Sequence, residues 1–210
     1  NLDVHQSPED SRPYAERDGT SVEVTTAFGD GTKMHIENVV TANLSGLRPP
    51  PLATPGITTQ LAEVADAARH AGLAEGTVHY TLGGDFGGGV VVLASSEDPE
   101  FDAPYLRYSK LGDGPWYPLF RPYHLIHMEV PITIEQVLSG GPGLGHLSPF
   151  PVATCVAMSK RDLQAGEALD GIGGATCYGV AAAAQEGHGL LPVGLSQHAV
   201  LRRAVSIDRP

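Results

Sequence analysis

Lys33 and Glu37 stand four residues apart, a spacing that brings two side chains together on one face of a helix. A lysine held by a carboxylate can pass a proton, or orient a hydroxylic or anionic substrate. The same pair also reads as a solvated surface ion pair. Further along, Arg121-Pro122-Tyr123-His124 follows an aromatic-rich run. Arg121 offers a two-pronged fork for a carboxylate or phosphate, and His124 has the side chain that titrates near neutrality. The bland alternative is an aromatic packing cluster at the edge of the core.

A third stretch combines charge with glycine. An apolar run, Pro151 to Met158, leads into Ser159-Lys160-Arg161-Asp162, and a second turn, Asp170-Gly171-Ile172-Gly173-Gly174, follows. The pattern is a strand that delivers a charged loop, the kind of segment that often carries function. It is equally the pattern of a tight surface connection. His124, His127 and Glu129 lie close together, but H-x-x-H-x-E lacks the further matched ligands of a metal site, so no metal is expected. The glycine run 83–89 contains no G-x-G-x-x-G and leads into a β-branched segment rather than a helix. It therefore predicts a hairpin turn, not a nucleotide loop. No G-x-S-x-G elbow occurs.

The elements that must position these residues can be read from periodicity. Residues 1–20 are polar with two prolines and predict a loose lead-in. Val22 to Phe28 alternates like a half-buried strand. Asp30-Gly31-Thr32-Lys33 turns into a helix whose core face would be Ile36, Val39, Val40 and Asn43, with Gly46 as its stop. Thr58 to Ala71 repeats that spacing. Val78–Leu82, Val90–Ala94 and Tyr105–Leu111 predict strands, and Gly112 to Pro115 a turn. Thr133 and Gln136 fit a capping box, so a short helix would start there and end at Gly140. The linker 140–149 is the expected domain boundary, giving domains 1–140 and 150–210. Helices and strands that do not strictly alternate favour an α+β fold: a mixed sheet with two or three helices, then a small β-rich module.

Bulk composition narrows the classes. With 210 residues, 41% hydrophobic and 18% charged, the chain can bury a real core. A formal charge of −11 disfavours nucleic acid, whose phosphates need a basic face. No apolar run approaches the ~18 residues of a membrane span. The two cysteines, Cys155 and Cys177, do not make a secreted scaffold. They read as reduced thiols of a cytoplasmic protein, with their pairing left open. The chain begins at Asn1 rather than Met, which reads as a piece of a longer protein.

Several ordered motifs together resemble the C-terminal half of homoserine-dehydrogenase-like NAD(P)-dependent oxidoreductases that end in a SAF (antifreeze-like) domain. They are Asp30-Gly31-Thr32-Lys33-Met34, Lys110-Leu111-Gly112-Asp113-Gly114-Pro115, Arg121-Pro122-Tyr123-His124-Leu125, Ser159 through Gly174, and Leu191-Pro192-Val193-Gly194-Leu195. The resemblance implies a catalytic domain over 1–140 and a SAF-like domain over 150–210. NAD(P) would be held mainly by a Rossmann domain that this chain lacks. It implies a small hydroxylated, anionic substrate, and either a homo-oligomer or association with a Rossmann domain. By the same token Lys33, Glu37 and His124 would be catalytic. Asp30, Asp113, Arg121, Tyr123, Lys160 and Asp170 would bind substrate. Two other readings stay open: a cofactor-free SAF-type binding protein for a sugar-like ligand, and a cofactor-independent lyase, isomerase or cyclase.

Overall fold

Three helices open the chain: α1 (Pro8–Asp18), α2 (Val22–Gly29) and α3 (Thr32–Ser45). The middle runs β1 (Ile57–Thr58), a 3₁₀ turn, α4 (Val64–His70), β2 (Thr81–Leu82), β3 (Val90–Ser95), α5 (Pro99–Tyr108), β4 (Trp116–Arg121) and α6 (Ile126–Leu138). The hairpin strands β5 (Ala153–Ser159) and β6 (Cys177–Ala183) follow. The structure, a computed structural model, describes residues 2–52, 54–83, 87–123, 126–141 and 150–210. The elements sort into two compact units, neither a single run of chain: residues 1–55, 76–80 and 147–210 in one, and 56–75 and 81–146 in the other. The α+β class stands. The helices number six among the described residues rather than two or three, and the strands pair two by two rather than in one mixed sheet.

The expected loose lead-in is helix α1. Ser7 Oγ accepts from Asp10 N at 3.2 Å and the Asp10 carboxylate accepts from Ser7 N at 3.0 Å, a capping box with aspartate in place of the usual glutamate. Pro8 sits in the first turn, where its missing N–H costs nothing. The expected strand Val22–Phe28 is helix α2. Ser21 caps it by accepting from Val24 N. The Thr26 hydroxyl lies 2.8 Å from both Val22 O and Ser11 Oγ, which satisfies it inside the α1–α2 interface. Capping and tertiary burial outweigh the β-propensity of four β-branched residues, Val22, Val24, Thr25 and Thr26.

Helix α3 forms as expected and ends at Gly46, whose φ of +79° needs glycine. Its buried face differs from the expected one. Thr32, His35, Asn38 and Ala42 are buried, whereas Val40 is half exposed. The reason is the hairpin edge that α3 covers. β5 and β6 pair antiparallel from Ala153↔Ala183 to Ser159↔Cys177, and β6 leaves alternate N–H groups unpaired on its outer edge. Gly179 N donates to Thr32 Oγ1 (2.8 Å) and Ala181 N donates to His35 Nδ1 (3.1 Å). Buried edge donors must find acceptors, so this helix face is polar. Asn43 fastens the next turn: its Oδ1 accepts from Val152 N and Ala153 N, and its Nδ2 donates to Ala153 O. A Cβ at Gly179 would lie 2.8 Å from Cys155 Sγ, so glycine permits this close approach. On the hairpin itself Val156, Met158, Tyr178, Val180 and Ala182 form the core. Each large member contributes roughly 1.5–3 kcal/mol by leaving water.

In the second unit β3 and β4 pair antiparallel, Val90↔Arg121 to Ser95↔Trp116, and β1 pairs with β2 in parallel. The expected hairpin across 83–89 does not link β2 to β3, because each has another partner; residues 84–86 lie outside the described ones. The helix expected from Thr58 begins only at Val64. Tyr105–Leu111, expected as a strand, starts inside α5, which Asp98 caps and Pro99 opens. The capping box at Thr133 does not form. α6 begins at Ile126 and runs through Pro131, and the Thr133 hydroxyl lies 3.5 Å from Glu129 O. The expected turn at 112–115 is present, and Gly114 (φ +78°) faces the buried Tyr117 ring where a Cβ would clash.

Candidate functional site

The corner between α2 and α3 is built by Asp30 and Gly31. Asp30 Oδ1 accepts from Thr32 N at 2.9 Å, and Gly31 turns the chain with a φ of +85°. Asp30 is fully buried. Its counter-charge is Lys160, whose Nζ lies 2.8 Å from Asp30 Oδ2, with 2% and 0% of the two side chains exposed. That oxygen receives no directed hydrogen bond, so the contact is an ion pair. The Lys160 ammonium also donates to Gln6 O (2.6 Å) and Gly174 O (2.7 Å). Two carbonyl acceptors and one carboxylate thus surround the ammonium, and the N-terminal segment, the α2–α3 corner and the 170–174 loop meet on one cation.

Lys33 projects from the first turn of α3 on this locked corner. Its Nζ lies 2.5 Å from Glu37 Oε1 and 4.6 Å from the centre of the Phe28 ring. A carboxylate and an aromatic face both favour an ammonium. About a third of the Lys33 side chain remains open to solvent, so it can meet a ligand. The predicted i, i+4 pair is thus formed, with Phe28 as a contributor that periodicity alone did not flag.

Asp170 organises its own loop. Its carboxylate accepts from Ala175 N (2.6 Å), Thr176 N (3.0 Å) and the Thr176 hydroxyl. Partial burial pushes its pKa up, yet these hydrogen bonds outweigh it and hold the carboxyl below its ordinary range. Beside α3, burial pushes His35 down to about 4, with nearby His79 adding to the effect. Neutral His35 can therefore accept from Ala181 N. Burial, with Asp30 nearby, pushes the Cys155 thiol up to about 12, which removes it as a nucleophile near neutral pH. Cys155 and Cys177 are both free, opposite Ala181 and Ser159 in the hairpin register.

In the second unit Arg121 and Tyr123 line a cavity of about 410 Å³ together with Pro122, Met128, Glu129 and Ile132. Arg121 Nη2 donates to Glu129 Oε1 at 2.5 Å. Asp113 does not line this cavity; it accepts from Arg107 Nε at 2.6 Å on an exposed turn. His124 lies outside the described residues. The candidates fall into pairs: Asp30 with Lys160, Lys33 with Glu37, and Arg121 with Tyr123. Among the described residues no group of three or more His, Cys, Asp or Glu is placed to hold a metal, and no helix is long and apolar enough to cross a membrane.

A dinucleotide would need a glycine-rich turn from a strand into a helix N-terminus. The described residues do not offer one. Gly31 joins helix to helix, and Gly87 to Gly89 lead into β3. These residues therefore do not fit a nicotinamide dinucleotide.

No curated protein matches the chain. A family model described as the catalytic domain of oxidoreductase DRL matches residues 1–130, a span that holds Asp30, Lys33, Glu37, Asp113, Arg121, Tyr123 and His124 and stops short of Lys160 and Asp170. With most of its length matched, the chain belongs to the oxidoreductase DRL catalytic-domain family.

Proposed function

We propose that this chain is the substrate-handling part of an NAD(P)-dependent oxidoreductase acting on a small hydroxylated, anionic metabolite. In this reading the nicotinamide cofactor is held mainly by a Rossmann domain that associates with this chain. When bound, the cofactor would supply the hydride chemistry. Lys33 holds the proton at the substrate oxygen, and Glu37 orients the ammonium over Phe28. In the second unit Arg121 and Tyr123, with His124 beside them in sequence, offer an anion-binding cavity of their own. Asp30, Lys160 and Asp170 fix the corner and the loop, and residues 150–210 serve as the SAF-like module. Asp113 is the weakest member, because Arg107 already neutralises it.

One observation carries the reading. A partly exposed lysine, pinned by a carboxylate and an aromatic ring on a rigid corner, lies inside the segment that matches an oxidoreductase catalytic domain. Ligand-induced thermal shifts test the substrate class. Glycerate or glycerol 3-phosphate should raise the Tm with concentration, while neutral glycerol should not, and Arg121→Ala should abolish the response. Equal shifts from glycerol, or none from either anion, would overturn the anionic assignment.

A further inference from the structure

The C-terminal hairpin carries a second cavity that the reading above does not use. It encloses about 260 Å³, just under the usual range of small-molecule sites, about 300–1,000 Å³. Its walls are apolar side chains from both the hairpin and the segment after it, among them Met158, Leu163, Leu191 and Val205. Its charged lining is of one sign: Arg202, Arg203 and Arg209, with no acidic residue. This is unusual in a chain with 24 Asp and Glu against 13 Lys and Arg. Like Arg12 and Arg48, none of the three forms an ion pair with a described residue, whereas Arg17, Arg69, Arg107, Arg121 and Arg161 do.

The backbone that bears these arginines is fastened on both sides. Leu201 N donates to Glu167 O, and Gly166 N donates to Leu201 O. Leu163 and Val205 exchange both of their hydrogen bonds. These pairs clamp the turn 202–203 at its two ends. Arg209 is held against β5, because Ser159 N donates to Arg209 O and Arg209 N donates to Ser159 Oγ. Guanidinium groups on pinned backbone need little ordering to receive an anion, which favours binding.

We propose that this cavity binds a small amphiphilic anion: an apolar body seated on Met158, Leu163 and Val205, with a phosphate or carboxylate held by Arg202, Arg203 and Arg209. The apolar walls alone would admit a neutral ring, and the arginines alone would attract any anion. Their combination selects a molecule that carries both.

Isothermal titration of the intact protein with phenyl phosphate, benzoate, inorganic phosphate and benzyl alcohol tests this. Phenyl phosphate or benzoate should bind saturably, and which of them binds identifies the head group. Inorganic phosphate and benzyl alcohol should bind at least tenfold more weakly. The double variant R202A/R203A, exposed and on a turn, should keep the wild-type Tm and lose at least tenfold in affinity. Val200→Asp, which sets a negative charge on an exposed lining position, should do the same. Arg121→Ala should leave this binding intact, which separates it from the substrate reading. Absence of saturable binding by both probes, or equal affinity in R202A/R203A, would overturn the proposal.

Discussion

The Lys160 ammonium sits 2.8 Å from the Asp30 carboxylate with both side chains closed to solvent, although 130 residues separate them in the chain. Removing one partner strands the other charge without water, which costs about 3–5 kcal/mol, more than the pair itself contributes. Lys160→Met and Asp30→Asn should each lower stability by roughly that amount in urea melts. The double variant should lose clearly less than the sum of the two. Additive losses would mean that the charges are not coupled.

His35 gives the fold a predictable acid limb. Its imidazole is buried and pushed from 6.5 down to about 4. Above pH 6.5 it is neutral in both folded and unfolded chains and has no effect. Between 6.5 and 4 the unfolded chain takes up a proton that the folded chain refuses, so stability falls as pH drops, by up to about 3 kcal/mol. Below 4 the contribution levels off. His79, also lowered by burial, acts in the same direction. His35→Asn keeps an acceptor for Ala181 N and should flatten this limb in a series of melts across pH. An unchanged slope would refute the assignment.

The loop after Asp170 depends on glycine at several places, and Gly173 is the one that meets another element. Gly173 has a φ of +74°, and a Cβ there would lie 2.1 Å from Glu23 O in the first turn of α2. Gly173→Ala therefore combines backbone strain with overpacking and should cost about 2–4 kcal/mol. Gly166→Ala is the control. Its φ is +87° but its Cβ would meet open space, so only strain of roughly 1 kcal/mol is expected. Equal losses in the two variants would show that the close approach to α2 carries no weight.

Asn43 joins α3 to β5 through three hydrogen bonds. Asn43→Ala leaves two N–H groups and one carbonyl without these partners and should cost about 1–3 kcal/mol. Asn43→Asp keeps the acceptor for both N–H groups and should lose less, measured in the same melts.

Asn43 also shows where reading the sequence stopped. Its position on the inner side of α3 was legible from the i, i+3, i+4 spacing, but it was counted with an apolar stripe. The true inner face carries Thr32 and His35, because it meets unpaired N–H groups of β6 rather than side chains. Nothing within α3 announces that edge. Strands β3 and β5 were legible because their apolar runs are long and bounded by turn residues. α2 was misread because Val22, Val24 and Thr26 alternate with Glu23 and Thr25, a pattern that does not include the Ser21 cap that starts the helix. α1 was not legible in the polar, two-proline lead-in, where Pro8 occupies the first turn and its missing N–H costs nothing. Of the candidate pairs, Lys33 with Glu37 follows from helical spacing alone. Asp30 with Lys160 does not, since no local pattern reports a contact made across the whole chain.

The central claim is that Lys33 handles the proton at the substrate oxygen. The direct measurement is kcat of the Lys33→Met holoenzyme, followed by nicotinamide absorbance beside its melting temperature. Position-specific proton transfer is worth about 10²–10⁴ in rate. Lys33 is about one-third exposed and paired with an exposed carboxylate, so its loss should scarcely move the Tm. A fall in kcat of a hundredfold or more with an unchanged Tm is the predicted result. A kcat within a few fold of wild type would contradict the account and return Lys33 and Glu37 to the status of a surface ion pair.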